Sequence, residues 1–293
     1  MKKLLLATSV LAFAGSAFAG GASSGKEVGL SYKKETVNNG SYQTRNTRYT
    51  TVTGKIGEVA GGTLTIGYTK SKEDRTKVLS TGKLSGSEKG TILSLNYMKV
   101  QPSWGFWGAA FATGEADNNV QIQYVTNVAL SALSGKLVKG TTTSDLTAYS
   151  VYAGTKVSTN GFDIIPMVKY TKKTKKLKSL ELKNPANALI KHDFALTSGV
   201  QKTLDIGATV QTKVGSGKLS ASYFITDTKG TDVVYKVATT AVPDNPEKRR
   251  GNTWGVQFET PINNKVNASI SYTQYKNGKT KTKTTFIGVG YKF

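Results

Sequence analysis

Large apolar residues alternate with small polar residues along much of the chain. In residues 64–69 (LTIGYT), Leu64, Ile66 and Tyr68 share one parity, and threonine and glycine occupy the other. Residues 219–226 (LSASYFIT) repeat the pattern. Successive side chains of a β-strand point to opposite faces, so a period of two predicts strands with one apolar face and one polar face. Because no sustained helical spacing occurs beyond the apolar N-terminal run, the sequence predicts an all-β fold.

Short turns and long polar loops alternate between the predicted strands. Twelve strands are predicted, at residues 26–34, 46–57, 63–71, 90–100, 104–113, 146–157, 161–171, 192–214, 217–228, 251–260, 265–276 and 283–293. Short turns at one end and long loops at the other are typical of a single antiparallel up-and-down transmembrane β-barrel. The even number of strands would place both termini on the periplasmic side, with the short turns.

Two segments leave alternatives open. Residues 192–214 are longer than the about 9–11 residues that span a membrane, so they form either one projecting strand or two strands. The apolar parity of Leu204, Ile206 and Val210 continues past the candidate turn at KTLDIG, which favours one strand. Residues 114–145, the longest loop, either fold into the barrel interior or extend its wall; their alternation around Ile122 favours a local hairpin.

The character of the two strand faces distinguishes a membrane barrel from a soluble β-sandwich. The polar faces are rich in Gly, Ser, Thr and Asn, which suit a wet lumen, whereas a soluble sandwich would carry mixed charges on its outer faces. Aromatic residues occur near the ends of the apolar faces, at Tyr68, Tyr97, Tyr170, Tyr223, Tyr272 and Tyr291. Such positions build the interfacial girdle of a membrane barrel.

The N-terminus has the pattern of a secretory signal peptide. Lys2 and Lys3 precede an apolar run over residues 4–14, and Ala17 and Ala19 supply the small residues of a cleavage site. The run is too short to cross a bilayer, which takes about 20 residues. We therefore expect residues 1–19 to be a cleaved signal peptide and residues 20–293 to form the barrel.

Composition limits the chemistry that the chain can perform. It has no cysteine and one histidine, His192, so thiolate and multi-histidine metal sites are excluded. The neighbouring Asp193 lies on the opposite strand face and would orient His192 poorly for hydrolysis. We therefore expect no catalytic site and no cofactor; an integral membrane hydrolase built on His192 is the weakest alternative.

The charge of the chain favours anionic partners. Forty basic residues against eighteen acidic ones give a formal charge of +22. On the lumen parity we predict selectivity residues at Lys169, Lys213, Lys218 and Lys292, opposed chiefly by Asp163 and Glu259. The long loops would add a basic vestibule of Lys172, Lys173, Lys175, Lys176, Lys178, Lys248, Arg249 and Arg250. These loop charges either attract anions to the lumen or contact phosphates of lipopolysaccharide.

The C-terminal sequence TTFIGVGYKF, with Tyr291 and the terminal Phe293, resembles the recognition signal of bacterial outer-membrane β-barrels. The resemblance implies that the barrel-assembly machinery of Gram-negative bacteria reads this strand, and we expect it to close against the first strand near residues 28–32. The layout also resembles small twelve-stranded channels for acidic oligosaccharides. Their lumens favour arginine whereas this chain is rich in lysine, so the substrate class does not carry over.

Together these features predict a porin-like passive channel in the outer membrane for anionic or small polar solutes, as a monomer or a homotrimer. Nucleic acid is not an expected partner. The alternative is a structural or adhesive surface barrel that does not conduct and whose basic loops bind lipopolysaccharide or other polyanions.

Overall fold

The computed structural model describes residues 26–39, 43–79, 82–101, 103–124, 137–183, 194–195, 198–230, 236–237, 249–278 and 280–293. Twelve long strands form the fold: β1 (Glu27–Asn39), β2 (Gln43–Val59), β3 (Gly62–Leu79), β4 (Gly82–Gln101), β5 (Gly105–Tyr124), β6 (Leu137–Gly154), β7 (Asp163–Lys183), β8 (Ser198–Val214), β9 (Gly217–Gly230), β10 (Arg249–Pro261), β11 (Val266–Asn277) and β12 (Thr280–Lys292). Among the described residues, no helix has the length and apolar character needed to cross a membrane.

The twelve strands close into a barrel. Each pairs antiparallel with its neighbours in the chain, and β12 pairs with β1 in the register Val28 to Tyr291 and Tyr32 to Ile287. The predicted all-β up-and-down barrel and its closure between the last and first strands are therefore confirmed. Three two-residue strands lie outside this order: Val157–Ser158 pairs with the start of β7, and Phe194–Ala195 pairs with Lys236–Val237.

The strands extend further from the short-turn end than predicted. Strand β7 continues to Lys183 and β4 begins at Gly82, so most of the predicted loops 35–45, 72–89 and 172–191 are strand. Beyond the membrane both faces of a strand meet polar surroundings, so the apolar alternation ends while the hydrogen-bonded ladder continues. These loop boundaries were wrong for that reason.

The two ambiguous segments both contribute to the wall. Within residues 192–214, residues 198–214 form one wall strand without a break at KTLDIG, as the continuous parity indicated, whereas Phe194–Ala195 belongs to a separate two-stranded sheet. Strand β5 continues to Tyr124 and β6 begins at Leu137, and the two pair through Gln123 and Leu137. The described parts of residues 114–145 therefore extend the barrel wall; residues 125–136 lie outside the described residues.

An apolar belt surrounds the outside of the barrel near its short-turn end. Its large side chains are exposed and include Leu30, Val52, Ile66, Leu95, Phe111, Val151, Val168, Ile206, Tyr223, Val256, Ile270 and Val289. Exposed apolar side chains on one strand parity all round a closed barrel are suited to lipid. The barrel and its belt confirm the predicted outer-membrane location. The predicted signal peptide, with Ala17 and Ala19, lies outside the described residues.

Candidate functional site: a charged cluster inside the barrel

The inward parity carries charged residues toward the strand ends opposite the short turns, mostly in segments that were predicted to be loops. We call seven of them the interior cluster: Lys33 and Glu35 on β1, Arg45 on β2, Glu73 and Arg75 on β3, Glu88 on β4 and Lys175 on β7. The first six are each less than one tenth exposed, and Glu35 is only 1% exposed. Their burial shows that these side chains pack together inside this part of the barrel.

Acidic and basic members of the cluster alternate across β1, β2 and β3. Glu35 lies 3.4 Å from Lys33 and 3.3 Å from the guanidinium of Arg45. Arg45 also contacts Glu73, at 3.5 Å, and Glu73 lies 3.9 Å from Arg75. Because buried charges are costly unless they are paired, this arrangement holds the side chains inside the barrel instead of expelling them.

One ion pair crosses the interior. Lys175 Nζ on β7 lies 3.1 Å from Glu88 Oε2 on β4, although β5 and β6 separate these strands along the wall. A second contact skips one strand of the wall: the guanidinium of Arg75 on β3 donates a hydrogen bond to Asn118 of β5. These contacts narrow the interior at the level of the cluster.

Parts of the cluster retain unused hydrogen-bonding capacity. Arg45 Nε, Arg75 Nε and Glu73 Oε1 are buried without a hydrogen-bond partner. Glu73 instead accepts a bond from the Thr47 hydroxyl through its other oxygen, at 3.1 Å. The described cluster is therefore held chiefly by ion pairs, and three of its buried polar atoms have no hydrogen bond.

The predicted lumen lysines occupy the inward parity, but only one lies deep in the barrel. Lys169 is buried and lies opposite Asp205, which accepts a 2.6 Å bond from the Thr226 hydroxyl. The other three, Lys213, Lys218 and Lys292, lie at the short-turn ends of their strands.

Acidic residues are more numerous inside the barrel than the parity of the predicted strands indicated. Asp163 and Glu259 were expected to be the chief lumen acids, but Glu35, Glu73 and Glu88 also face inward. Asp205 does as well. The expectation was wrong for the three glutamates because they belong to segments that were assigned to loops.

The predicted vestibule residues of β7 lie on a strand and divide between its two faces. Lys173 and Lys175 have the inward parity of buried Lys169 and Thr171, whereas Lys172 and Lys176 are exposed on the outward parity. On β10, Arg250 is exposed; Arg249 begins the strand. Lys248 and His192 lie outside the described residues. The strand thus separates lysines that face the lumen from lysines that face the surroundings.

Lys178 lies on the outer surface because it shares the outward parity of exposed Lys172 and Lys176. Its ammonium group lies 2.7 Å from both Asp145 and Glu115. Hydrogen bonds to Asp145 and then Glu115 raise the pKa of Lys178 above its ordinary value. This lysine is neutralised by its two acids and does not face the lumen.

The C-terminal aromatic pair lies at the short-turn end of the outer surface. Phe293 is 73% exposed, and its ring meets that of Tyr291 edge-on at 5.1 Å between centroids. The Phe293 N–H donates a 3.1 Å bond to the carbonyl of Lys26.

The described residues contain no group of three or more side chains that could hold a metal ion.

Comparison with known structures places this geometry in one class: the chain has the fold of outer-membrane β-barrels. It is similar to the translocator domain of the autotransporter NalP from Neisseria meningitidis, with a TM-score of 0.76, 12% identity and coverage of 96% of this chain and 93% of that one. It also resembles the β domain of the Bordetella autotransporter BrkA, with a TM-score of 0.66, 10% identity and coverage of 92% and 100%. The P. putida toluene transporter TodX gives a TM-score of 0.50, 8% identity and coverage of 93% and 91%.

At these identities the similarities show the fold alone. The sequence matches no protein-family profile and no curated protein.

Proposed function

We propose that the chain is a passive outer-membrane channel for small polar solutes, with a preference for anions, and that the interior cluster is its constriction. The observation that carries the proposal is the ion pair between Lys175 and Glu88, which crosses the inside of a closed barrel at 3.1 Å. Charged side chains that meet across an interior of polar residues define a narrow polar path. The process is diffusion without catalysis.

The number of strands supports a path of restricted width. Eight-stranded barrels are filled by their side chains, whereas barrels of 16–18 strands leave an open aqueous channel. A barrel of twelve strands falls between these cases, so its inward side chains decide how wide the path is. Here they are long and paired across the interior, which favours small solutes over large ones.

The preference for anions rests on the charge balance of the cluster. It contains four basic residues, Lys33, Arg45, Arg75 and Lys175, and three acidic ones, Glu35, Glu73 and Glu88. Lys173 adds a further inward cation two residues before Lys175. An excess of positive charge in a narrow, partly desolvated path attracts anions and repels cations.

Translocation, the role in the name of the translocator domain of the autotransporter NalP, is a second candidate because of the shared fold, and we consider it here for a polypeptide. A polypeptide that passed through this barrel would have to break the buried pairs around Arg45 and Glu73, which lie 3.5 Å apart. Breaking buried ion pairs is costly, so small-solute diffusion is the better supported function.

The barrel-assembly machinery is a proposed partner, and exposed Tyr291 and Phe293 are the proposed signal that it reads. A monomer and a homotrimer are both compatible with the proposed channel.

Planar-bilayer recordings of the purified, folded protein test the channel. In a potassium chloride gradient we expect single-channel currents whose reversal potential is displaced toward that of chloride. Lys175→Gln removes the crossing ion pair and one positive charge, so conductance should rise and the reversal potential should move toward that of potassium. Lys178→Gln is the matched control, since this lysine lies on the outer surface.

Each result addresses a separate part of the proposal. Folded protein without conductance would show that the barrel is not a channel. A reversal potential near that of potassium in the unmodified protein would refute the anion preference. Equal currents from Lys175→Gln and the unmodified protein would show that the constriction lies elsewhere.

A further inference from the structure

A row of lysines lies on the outside of the barrel, directly beyond the apolar belt. Lys172 of β7 is the cross-strand partner of Lys202 of β8, and Lys202 is in turn the partner of Lys229 of β9. All three side chains are exposed on the outward parity. We call Lys172, Lys202 and Lys229 the outer lysine row.

The row places three positive charges directly opposite one another on three adjacent strands. Side chains directly opposite each other on neighbouring strands have Cβ atoms about 4.5–5.5 Å apart, and like charges in such positions are destabilising. Within the described part of the chain, none of the three lysines forms a salt bridge. An anion bound between them would relieve their mutual repulsion.

The acids of the described neighbouring strands do not supply that anion. The closest outward acid on β9 is Asp227, which lies 3.9 Å from Arg250 of β10. Lys178 lies further along β7 and is bound by Asp145 of β6 and Glu115 of β5. Both groups of acids thus lie next to cations that do not belong to the row.

The position of the row indicates the source of the anion. Tyr170 and Leu204, partners in the outward face of the belt, lie two residues before Lys172 and two residues after Lys202 along their strands. The row lies toward the strand ends opposite the short turns, and in outer-membrane barrels that end is extracellular. It is thus at the depth of the lipid headgroups of the outer leaflet.

We propose that the outer lysine row binds the phosphate groups of lipopolysaccharide at the edge of the outer leaflet. A phosphate carries the charge and the acceptor oxygens that ammonium groups bind. The surface faces lipid and does not face the lumen, so this site is independent of the proposed channel. The barrel would carry a fixed lipid at β7, β8 and β9.

A second row of outward cations lies on β1 to β4, and it differs from the outer lysine row because acids lie beside its members. Lys34, Arg48, Lys72 and Lys89 are successive cross-strand partners on β1, β2, β3 and β4. Arg48 forms a 2.8 Å pair with Asp74, and Lys89 is opposite Asp117. Because acids accompany these cations, the row on β7, β8 and β9 is the stronger site for an external phosphate.

Binding of purified lipid A to the full protein in zwitterionic detergent micelles tests the proposal. The triple variant Lys172→Gln, Lys202→Gln and Lys229→Gln should bind bis-phosphorylated lipid A about a hundredfold more weakly, since each lysine contributes about one factor of five near an anionic lipid surface. Affinity of the unmodified protein should fall as salt is added. Lipid A without phosphates should bind as weakly to the unmodified protein as to the variant.

The control variant carries the same change of charge elsewhere. Lys213→Gln, Lys218→Gln and Lys292→Gln removes three lysines from the short-turn end, where Lys213 and Lys218 are also cross-strand partners. It should retain affinity for lipid A. If both variants bound lipid A equally weakly, the effect would come from net charge and the proposed site would be wrong. The proposal would also be wrong if the first variant bound lipid A as tightly as the unmodified protein, or if lipid A without phosphates bound as tightly as the phosphorylated form. Melting of both variants without lipid shows that each is folded.

Discussion

The interior cluster and the outer lysine row are built from similar residues on the same wall, yet their charges are arranged in opposite ways. Inside, each cation that the interior cluster has on β1 to β3 lies within 4 Å of an acid, as Arg45 does with Glu35 and Glu73. Outside, Lys172, Lys202 and Lys229 are each opposite another lysine. The difference follows from the surroundings.

A buried charge cannot rely on solvent, so its partner must be part of the protein. A charge on the outer surface is hydrated and screened, so the sheet tolerates like charges there and can leave them to an external ligand. Pairing therefore indicates a structural and constricting role for the interior cluster. The placement of lysine opposite lysine indicates a binding role for the outer lysine row.

The largest difference should appear when one acid is neutralised in each environment. Glu35→Gln leaves Lys33 and Arg45 buried with one anion fewer, and we expect it to lower the free energy of unfolding by about 3–5 kcal/mol. Asp74→Asn removes the same charge from an ion pair with Arg48 that is about half exposed, with side-chain exposures of 50% and 46%. The exposed change should cost about 0–1 kcal/mol.

Urea unfolding of both variants in the same lipid vesicles measures this contrast. Similar values for the two would show that the interior is hydrated well enough to solvate Arg45, and the cluster would then be neither tightly packed nor a constriction.

A smaller effect should distinguish the lipid-facing belt from the lumen face. Ile206 is 55% exposed within the belt, and Ile206→Lys should lower the free energy of unfolding by about 2–4 kcal/mol if it lies near the midplane of the membrane. Gln211→Lys, on the inward parity of the same strand and opposite Asp163, should change it by less than about 0.5 kcal/mol. Urea unfolding in lipid vesicles measures both variants. Equal decreases in the free energy of unfolding would contradict the assignment of the two faces.

The belt and the closure of the barrel could be predicted from the sequence because lipid requires large apolar residues on one parity. The alternation in β12 gives both the strand and its lipid-facing residues, including Ile287 and Val289, from ten residues alone. The number of strands follows from repeating this pattern between turns. These features depend on local sequence, so no tertiary information was needed.

The interior cluster could not be predicted in the same way. Glu35, Glu73 and Glu88 lie where both faces of their strands are polar, so apolar alternation gives no sign of a strand. A weaker signal was present in residues 44–51, whose threonines and tyrosine are residue types that favour a strand. Even so, the contact between Lys175 and Glu88 depends on how strands that are not adjacent face each other across the barrel.

The outer lysine row was hidden for a related reason. Lys172, Lys202 and Lys229 are far apart in the sequence, and only the register of β7, β8 and β9 places them side by side. Register depends on the stagger of the whole barrel and is not contained in any single strand.

The smallest effect should come from reversing the central charge of that row. Lys202→Glu places an acid between Lys172 and Lys229 and turns two unfavourable pairs into favourable ones. In zwitterionic detergent at low salt we expect the free energy of unfolding to rise by about 0.5–1 kcal/mol. Lys265→Glu makes the same change of charge in the exposed turn before β11 and should have no comparable effect. In about 1 M salt, where charges are screened beyond roughly 3 Å, the gain from Lys202→Glu should disappear. A variant that is less stable than the unmodified protein, or a gain that persists in high salt, would show that the lysines do not repel one another, and the physical reason for a phosphate between them would be lost.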